Sequence, residues 1–515
     1  MSRWYIWGMF IRQKKNKSGS ISVQIISKNN SSYKVVKTIG SSLTSEGITL
    51  LLHQARQELH SIQKQTSLFV SHQDSNIESF LNTLHNSNIM VVGPELVFGK
   101  IYDSIGFNII KEDLFRHLVI SRLAFPLSKL KTIDYLFRFQ GVTINISTVY
   151  RFLDKLNTKL KEQVEQITYK HTLKVLNHNI SIVFYDLTTL YFEASDEDDL
   201  RKTGFSKDGK HQNPQILLGL LVGLGGYAIG YDIFDGSIYE GHTLIPVIEK
   251  LSAKFNLSKP IVVADAGLLS AVNIKSLEEN GYEYILGARP KSETNEIKKK
   301  IVQATLEDGQ TMVIKKEDDK RLIIAYSNKR AAKDEYNRKR GLQRLEKQIK
   351  SGKLTKSSIN NKGYNRYLKM KGDVNIEIDY EKFNQDKSWD GLKGYVTNTK
   401  LNSKQIIENY KNLWHIEKAF RMSKTDLRIR PIYHRLQKRI EAHICISFTA
   451  YSIYKDLERV LYAEKAPFSV QTAAELTHNM YQLNIVLPET QKQKEILLQM
   501  NELQTTLMKI IAENF

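Results

Sequence analysis

The chain has 515 residues, of which 41% are hydrophobic and 25% are charged. These are globular proportions, so they exclude a fibrous or globally disordered protein, and the length predicts about three or four domains. Lysine and arginine number 75 against 55 aspartates and glutamates, and this net charge of +20 favours a polyanionic partner, most often nucleic acid.

The first 65 residues are predicted to form a small basic module. Residues 20–26 and 33–39 alternate like the two strands of a β-hairpin, and residues 45–65 are predicted to form a helix. The first 40 residues contain eight basic side chains and no acidic one. We therefore interpret residues 1–65 as a basic β-hairpin plus helix that is suited to DNA binding.

Residues 66–178 are predicted to be mainly helical. Two short helices, Leu130–Phe139 and Ser147–Leu156, are joined by residues 141–145, and Ser147-Thr148 would cap the second helix. This arrangement is compatible with a DNA-binding helix-turn-helix. Two short helices with a turn are also common in proteins that do not bind DNA.

Residues 179–290 alternate between apolar strands and helices, which indicates an α/β fold. Gly225-Gly226, between apolar segments 216–222 and 227–235, predicts the turn of a β-hairpin. Residues 291–388 are lysine-rich and predicted to be irregular. Their segment Lys329–Lys350, with nine basic residues, is either a solvated helix face or a helix that contacts phosphates.

The last third of the chain is predicted to return to regular structure. Residues 389–460 are predicted as a strand followed by long helices. Residues 461–515 are predicted as a helical tail, mostly an amphipathic helix from about Pro488 onward.

The chain shows no secretory signal and no convincing membrane span. The apolar N-terminal stretch is short, and five glycines interrupt the uncharged run 212–231. Cys445 is the single cysteine, which excludes an internal disulfide framework, fits a reducing cytosol and predicts a buried small side chain. We therefore expect a cytoplasmic protein without a membrane partner.

Two predicted strands run directly into an aspartate. Residues 182–185 precede Asp186, and residues 260–264 precede Asp265. A carboxylate at the rim of a buried sheet is costly unless it is solvated, hydrogen-bonded, paired or bound to a metal. Either aspartate alone could simply cap the next helix, but the pair favours a shared metal site.

A third acid, Glu417, lies on a predicted helix capped by Asn402-Ser403. Seven residues make nearly two turns, so side chains at such spacings share one face. That face consists of Tyr410, Trp414, Glu417, Arg421 and Lys424. The neighbouring apolar face consists of Leu413, Ile416, Phe420 and Leu427. Glu417 and Arg421 could be an ordinary surface pair, but a carboxylate, a hydroxyl and cations on one face also suit a phosphodiester site.

Asp186, Asp265 and this helix resemble the DDE transposases of bacterial insertion sequences. The resemblance is to the subgroup with the pattern Y-(2)-R-(3)-E-(6)-K, and it covers roughly residues 180–430. The further matching stretches are 184–189, 264–267 and 390–398.

The helix matches the subgroup pattern at three of its four positions. Tyr410, Glu417 and Lys424 have the required spacing, whereas the arginine position holds Leu413. Arg421, one turn after Glu417, could take over the phosphate contact of that arginine.

The resemblance implies a ribonuclease-H-like catalytic core in two parts, residues 179–290 and 389–460, with residues 291–388 as an insertion domain between the second Asp and the Glu. It also implies that Asp186, Asp265 and Glu417 hold two Mg²⁺ ions, for which Mn²⁺ would substitute. The enzyme would cleave DNA at the end of a mobile element and join the resulting 3′-hydroxyl to target DNA.

The partner implied is double-stranded DNA, both element ends and target, bound by a homodimer assembled on that DNA. The protein would then be associated with the bacterial nucleoid. The residues expected to contact DNA are Tyr410, Arg421, Lys424, Lys202, Lys207, Lys210 and His434.

Two rival functions remain open from the residues alone. A metal-dependent DNA nuclease without strand transfer would use the same three acids. A non-enzymatic DNA-binding regulator would keep the acids for structural reasons only. A glycosidase with paired carboxylates is a distant third, since a carbohydrate substrate does not account for the net charge of +20.

Overall fold

The computed structural model describes residues 8–29, 32–66, 72–206, 209–352, 354–355, 358–360, 363–371, 375–487 and 490–515. The strands are β1 (Met9–Lys15), β2 (Ile21–Asn29), β3 (Ser32–Ser42), β4 (Ile89–Val91), β5 (Ile182–Tyr191), β6 (Gln215–Val222), β7 (Ala228–Asp235), β8 (Ile261–Ala264), β9 (Tyr284–Ala288), β10 (Thr311–Lys315), β11 (Arg321–Tyr326), β12 (Leu368–Lys371), β13 (Asn375–Ile378), β14 (Leu392–Thr397), β15 (Tyr481–Val486) and β16 (Gln493–Leu497).

The helices are α1 (Ser45–Thr66), α2 (His72–Leu81), α3 (Lys100–Ile105), α4 (Asp113–Ala124), α5 (Lys129–Gln140), α6 (Ile146–Lys155), α7 (Lys161–Val175), α8 (Leu244–Phe255), α9 (Ala271–Glu279), α10 (Asn295–Gln303), α11 (Asn328–Lys350), α12 (Tyr380–Gln385), α13 (Ser403–Lys411), α14 (Trp414–Thr425), α15 (Gln437–Ala463), α16 (Val470–Thr477) and α17 (Glu502–Asn514). The chain divides into two units, Met1–Asn88 with Ile485–Gln493 and Ile89–Asn484 with Lys494–Phe515.

The first unit contains an antiparallel sheet, β1-β2-β3, against which α1 packs. Its core includes Val23, Ile25 and Ile26, which are fully buried. The predicted hairpin and helix are confirmed, but β1 was missed. The reason is that Met9–Lys15 carries three basic residues and little apolar alternation, so pairing with β2 rather than its own pattern makes it a strand.

The second unit is built on an eight-stranded mixed sheet in the order β10-β11-β14-β9-β8-β5-β6-β7. β5, β6 and β7 form an antiparallel meander, and β8 and β9 run parallel to β5. This large mixed sheet confirms the predicted α/β fold. The predicted hairpin turn is present as well, with Gly225 and Gly226 at φ 72° and 85°, where other residues are strained.

The insertion between β9 and β14 is more regular than its lysine-rich composition predicts. Its strands β10 and β11 extend the large sheet, and β11 pairs with β14. The prediction of irregular structure was wrong. Leu322–Ile324 is a buried apolar run of a strand, but it is too short to stand out in the sequence among the charged residues around it. The rest of the insertion folds around a small core of its own, which includes Leu345, Tyr367 and Phe383.

The helical region before the large sheet contains the predicted pair of helices, α5 and α6. Gly141 ends α5 in the left-handed conformation at φ 66°. The predicted cap was wrong, because α6 begins after Asn145, and Ser147-Thr148 lies inside its first turn. The helices agree with a helix-turn-helix in sequence order only, and DNA binding by them stays a prediction.

Helix α15 runs through the core of the second unit and is buried along most of its 27 residues. Cys445 is buried there as predicted, and burial raises the pKa of its thiol to about 12, so it stays protonated. Among the described residues, no helix combines the length and apolarity needed to cross a membrane.

The C-terminal tail is not the predicted helix. It contains α16, β15 and β16, and its last helix, α17, begins only at Glu502. Pro488, where that helix was predicted to begin, lies outside the described residues. The prediction failed because β15 is stabilised by pairing with β4, through Tyr481 and Val91, almost 400 residues away in sequence.

Candidate active site

Asp186 and Asp265 occupy matching positions on adjacent parallel strands. Tyr185 of β5 pairs with Ala264, the last residue of β8, and each aspartate is the next residue in the sequence. Adjacent strands lie about 4.8 Å apart, so the two carboxylates start from neighbouring backbone positions. The prediction that two strands present acids at one place in the sheet is therefore confirmed at the level of the backbone.

The two aspartates differ in their surroundings. Asp265 follows β8 directly and is exposed. Asp186, predicted at the end of its strand, lies in the middle of β5, which continues to Tyr191 because residues 186–191 pair with β6. Asp186 is half-buried, and its Oδ1 accepts a hydrogen bond from the Leu187 backbone N–H at 2.8 Å.

The predicted helix with the third acid is two helices, α13 and α14. Its start is confirmed by a capping box between Asn402 and Gln405, with hydrogen bonds of 2.9 and 3.1 Å. The backbone tightens at Asn412, whose carbonyl accepts from His415 N–H in an i→i+3 bond, and this turn separates Tyr410 from Glu417. The prediction that Tyr410 and Glu417 share one face of a continuous helix was therefore wrong.

The predicted apolar residues are buried: Leu413 just before α14, Ile416 and Phe420 within it, and Leu427 just after it. Glu417 and Arg421 are exposed on the other side, and Lys424 is half-buried. Leu413 occupies the position that holds arginine in the subgroup that this chain resembles. Because Leu413 packs in the core, no side chain at this position contacts a phosphate.

Tyr410 reaches from α13 to the strand ends. Its hydroxyl donates to Asp265 Oδ1 at 2.9 Å, and its side chain is only 5% exposed. Burial and then the Asp265 carboxylate raise the pKa of Tyr410, so the phenol stays protonated and acts as a donor. Gly287 on β9 permits this contact, since a β-carbon there would overlap the Tyr410 hydroxyl.

Lys393 is a site residue that sequence reasoning missed. It lies on β14, half-buried, with its Nζ 4.3 Å from the centroid of the Tyr410 ring. Burial and Arg330 lower the pKa of Lys393, whereas the carboxylates of Asp265 and Glu417 raise it. The available signal was its position in the matching stretch 390–398, to which no role was assigned.

The three acids do not form a preassembled metal cluster. In the part of the chain that the structure describes, no group of three His, Cys, Asp or Glu side chains is close enough to hold a metal ion. Three like charges repel one another unless a cation neutralises them. Carboxylate oxygens nevertheless are the donors that hard divalent cations prefer, so Asp186, Asp265 and Glu417 fit such an ion in chemical type.

The predicted DNA contacts between β5 and β6 have different surroundings. Lys202 is half-buried, and its backbone forms an isolated bridge with Gln215. Lys210 is exposed, with its Nζ 5.4 Å from the centroid of the Tyr191 ring. Lys207 lies outside the described residues.

His434 is half-buried between two rings, 5.6 Å from His443 and 6.2 Å from Tyr150. Burial, followed by the nearby cations Lys129 and Arg439, lowers the pKa of His434 to about 3. The imidazole is therefore neutral at neutral pH, which disfavours a charged contact with phosphate.

Comparison with known proteins gives a family match and similarities to solved structures. The family model described as "Transposase DDE domain" matches residues 177–453, which is more than half of the 515 residues. No curated protein sequence matches. The piggyBac transposase synaptic complex with hairpin DNA is similar with a TM-score of 0.39 and 9% identity, over 82% of this chain and 81% of that chain. The Mos1 transposase paired-end complex with left transposon end has a TM-score of 0.16 and 12% identity, over 35% of this chain and 57% of that chain.

Proposed function

The chain belongs to the DDE transposase family, a family of DNA-cleaving and DNA-transferring enzymes, and from this premise we propose the residues and steps of its reaction. Asp186, Asp265 and Glu417 are the catalytic acids. They hold two Mg²⁺ ions, for which Mn²⁺ can substitute. When bound, such a pair of ions activates water and stabilises the attacking and leaving oxygens of a phosphodiester.

The observation that carries this proposal is the pairing of Tyr185 with Ala264, which brings Asp186 and Asp265 side by side. The hydrogen bond from Tyr410 supports the same assignment, since it orients the Asp265 carboxylate while leaving its other oxygen available. Lys393 adds a positive charge near Asp265 and Glu417, where it can offset their repulsion or meet a phosphate oxygen.

The proposed reaction has two steps on DNA. The enzyme cleaves a strand at the end of a mobile element, and the resulting 3′-hydroxyl then attacks a phosphodiester of target DNA. The remaining DNA contacts proposed are Arg421, Lys424, Lys202, Lys207 and Lys210, together with His434 through its neutral imidazole. We further propose that the protein acts as a homodimer on DNA and associates with the nucleoid.

The test uses the substitutions Asp186→Asn, Asp265→Asn and Glu417→Gln. Each should abolish Mg²⁺-dependent cleavage of a labelled element end, while duplex binding, measured without metal, stays close to wild type. Double substitutions should add no further loss, because removing one ligand already disables the unit. Glu279→Gln, which neutralises an exposed acid on α9, is the matched control and should cleave normally.

Joining of the labelled end to a plasmid separates transposition from the rival functions. Wild-type cleavage without joining would favour a nuclease. Absence of any metal-dependent cleavage would favour a DNA-binding regulator. Full activity in one of the three acid variants would remove that residue from the site.

A further inference from the structure

A basic segment connects α14 to α15, and we name Arg428–Leu436 the strap. Besides His434, its cationic and aromatic residues are Arg428, Arg430, Tyr433 and Arg435. Tyr433 is 69% exposed, and the side chain of Arg435 is 72% exposed. The proposed reaction assigns no role to these four residues.

The backbone of the strap is held by buried polar side chains. Arg122, only 5% exposed, donates from Nη1 to the carbonyls of Leu427 at 3.4 Å and Arg428 at 3.3 Å. His443, also buried, hydrogen-bonds through Nε2 to the Ile429 carbonyl at 2.8 Å. Arg428 itself has φ 44°, a conformation that non-glycine residues keep only where their surroundings impose it. These contacts fix the strap's position on the core.

The strap lies beside the strand that carries Asp186. Ile432 forms a parallel bridge with Phe192, the residue that follows β5. The ring of Tyr191, the last residue of β5, has Arg430 Cζ at 5.5 Å and Lys210 Nζ at 5.4 Å from its centroid. The strap, Tyr191 and Lys210 thus form one surface of cations interleaved with aromatic rings, five residues along β5 from Asp186.

Buried positive charge below the strap strengthens this surface. Burial lowers the pKa of Arg122 to about 10, so the guanidinium remains charged at neutral pH. Lys129 is also buried, and burial followed by the charge of Arg122 lowers the pKa of Lys129 well below its ordinary value, so Arg122 supplies the charge below the strap. Arg435 pairs with Asp196 at 3.6 Å, and both side chains are largely exposed, so this pair is weak.

We propose that the strap, with Tyr191 and Lys210, binds the sugar-phosphate backbone of the DNA strand next to the cleavage position. Arginine binds phosphate oxygens in bidentate geometry, and exposed tyrosines provide stacking surfaces for unpaired bases. The charge complementarity and the shared strand β5 select DNA as the occupant. This inference rests on the proposed function and adds a binding surface to it.

The test compares two triple substitutions that each remove three positive charges. Arg428→Gln, Arg430→Gln and Arg435→Gln are combined in the strap variant. The control variant combines Lys275→Gln, Lys300→Gln and Lys509→Gln, whose side chains are exposed on other helices. Fluorescence anisotropy measures binding of a duplex element end without metal at several salt concentrations, after circular dichroism has confirmed that both variants fold.

We expect the strap variant to bind with a salt slope shallower by about 2.7, since each lost phosphate contact removes about 0.9 from the slope of log K against log salt. If both proteins bind equally at 1 M salt, this change of slope lowers affinity at 0.1 M salt about 500-fold, and the control variant should lose much less. On a single-stranded oligonucleotide of the element end, Tyr433→Ala should weaken binding, whereas Tyr433→Phe should not, because stacking on unpaired bases needs the ring and not the hydroxyl.

Equal affinities and slopes for the strap and control variants would overturn the inference. A strap that docks an acidic protein segment instead would give that same result. Because binding is measured without metal, failure of the strap prediction leaves the cleavage test of Asp186, Asp265 and Glu417 unaffected, and failure of that cleavage test leaves the binding comparison readable.

Discussion

The Tyr410 hydroxyl is expected to orient a metal ligand rather than to react itself. It donates to Asp265 at 2.9 Å, and the Tyr410 ring packs edge-on against Tyr395 with centroids 4.9 Å apart. Tyr410→Phe removes the hydroxyl and keeps the ring contacts. The substitution therefore isolates the effect of the hydrogen bond on Asp265.

The structural loss should be small and the functional loss larger. A hydrogen bond to a charged group contributes about 1.5–3 kcal/mol, but Asp265 is exposed and water can replace the hydroxyl. We expect the free energy of unfolding without metal to fall by about 1 kcal/mol. Loss of a group that orients a metal ligand lowers metal affinity or activity by about 10–100-fold.

The assay is single-turnover cleavage of a labelled element end over a range of Mg²⁺ concentrations, together with urea denaturation without metal. Tyr282→Phe is the matched control, because Tyr282 is also buried and its hydroxyl donates to Ser252 at 2.9 Å. It should lose a similar amount of stability and cleave normally. If Tyr410→Phe cleaves as fast as Tyr282→Phe at every Mg²⁺ concentration, the reasoning is refuted.

Three further substitutions test other parts of the molecule. Lys393→Met should lower the Mg²⁺ concentration for half-maximal cleavage about fivefold, because it removes a positive charge whose repulsion of Mg²⁺ is worth about 1 kcal/mol at the edge of a solvated site. An unchanged Mg²⁺ titration would count against the placement of Lys393. Arg122→Met should lower the free energy of unfolding, measured in urea, by about 2–3 kcal/mol, since the Leu427 and Arg428 carbonyls lose their donor. Arg122→Lys should recover part of this loss. A loss below about 0.5 kcal/mol in Arg122→Met would show that water satisfies these carbonyls. Lys424→Ala should slow cleavage of element ends about 10²-fold, which is the usual loss when one group that stabilises developing charge is removed. Its thermal stability should change little. A normal cleavage rate in the folded variant would place Lys424 away from the reacting phosphate.

Much of the candidate site could be predicted because its signals are local. The apolar runs before Asp186 and Asp265 specify buried strands, and burial leaves few roles for an acid at that point. The cap at Asn402 and the apolar side of α14 follow from hydrogen-bond capacity and helical period, which neighbouring residues determine.

Tertiary contacts decided the rest. The bond from Tyr410 to Asp265 joins residues 145 positions apart, and nothing near Tyr410 in sequence selects that acceptor. Lys393 looks like an ordinary strand lysine until β14 is placed beside β9, which brings it to Tyr410. Strands β11 and β15 likewise exist because distant strands satisfy their backbone hydrogen bonds. Local periodicity determines which side of an element is buried, but only packing of the whole chain determines what it is buried against.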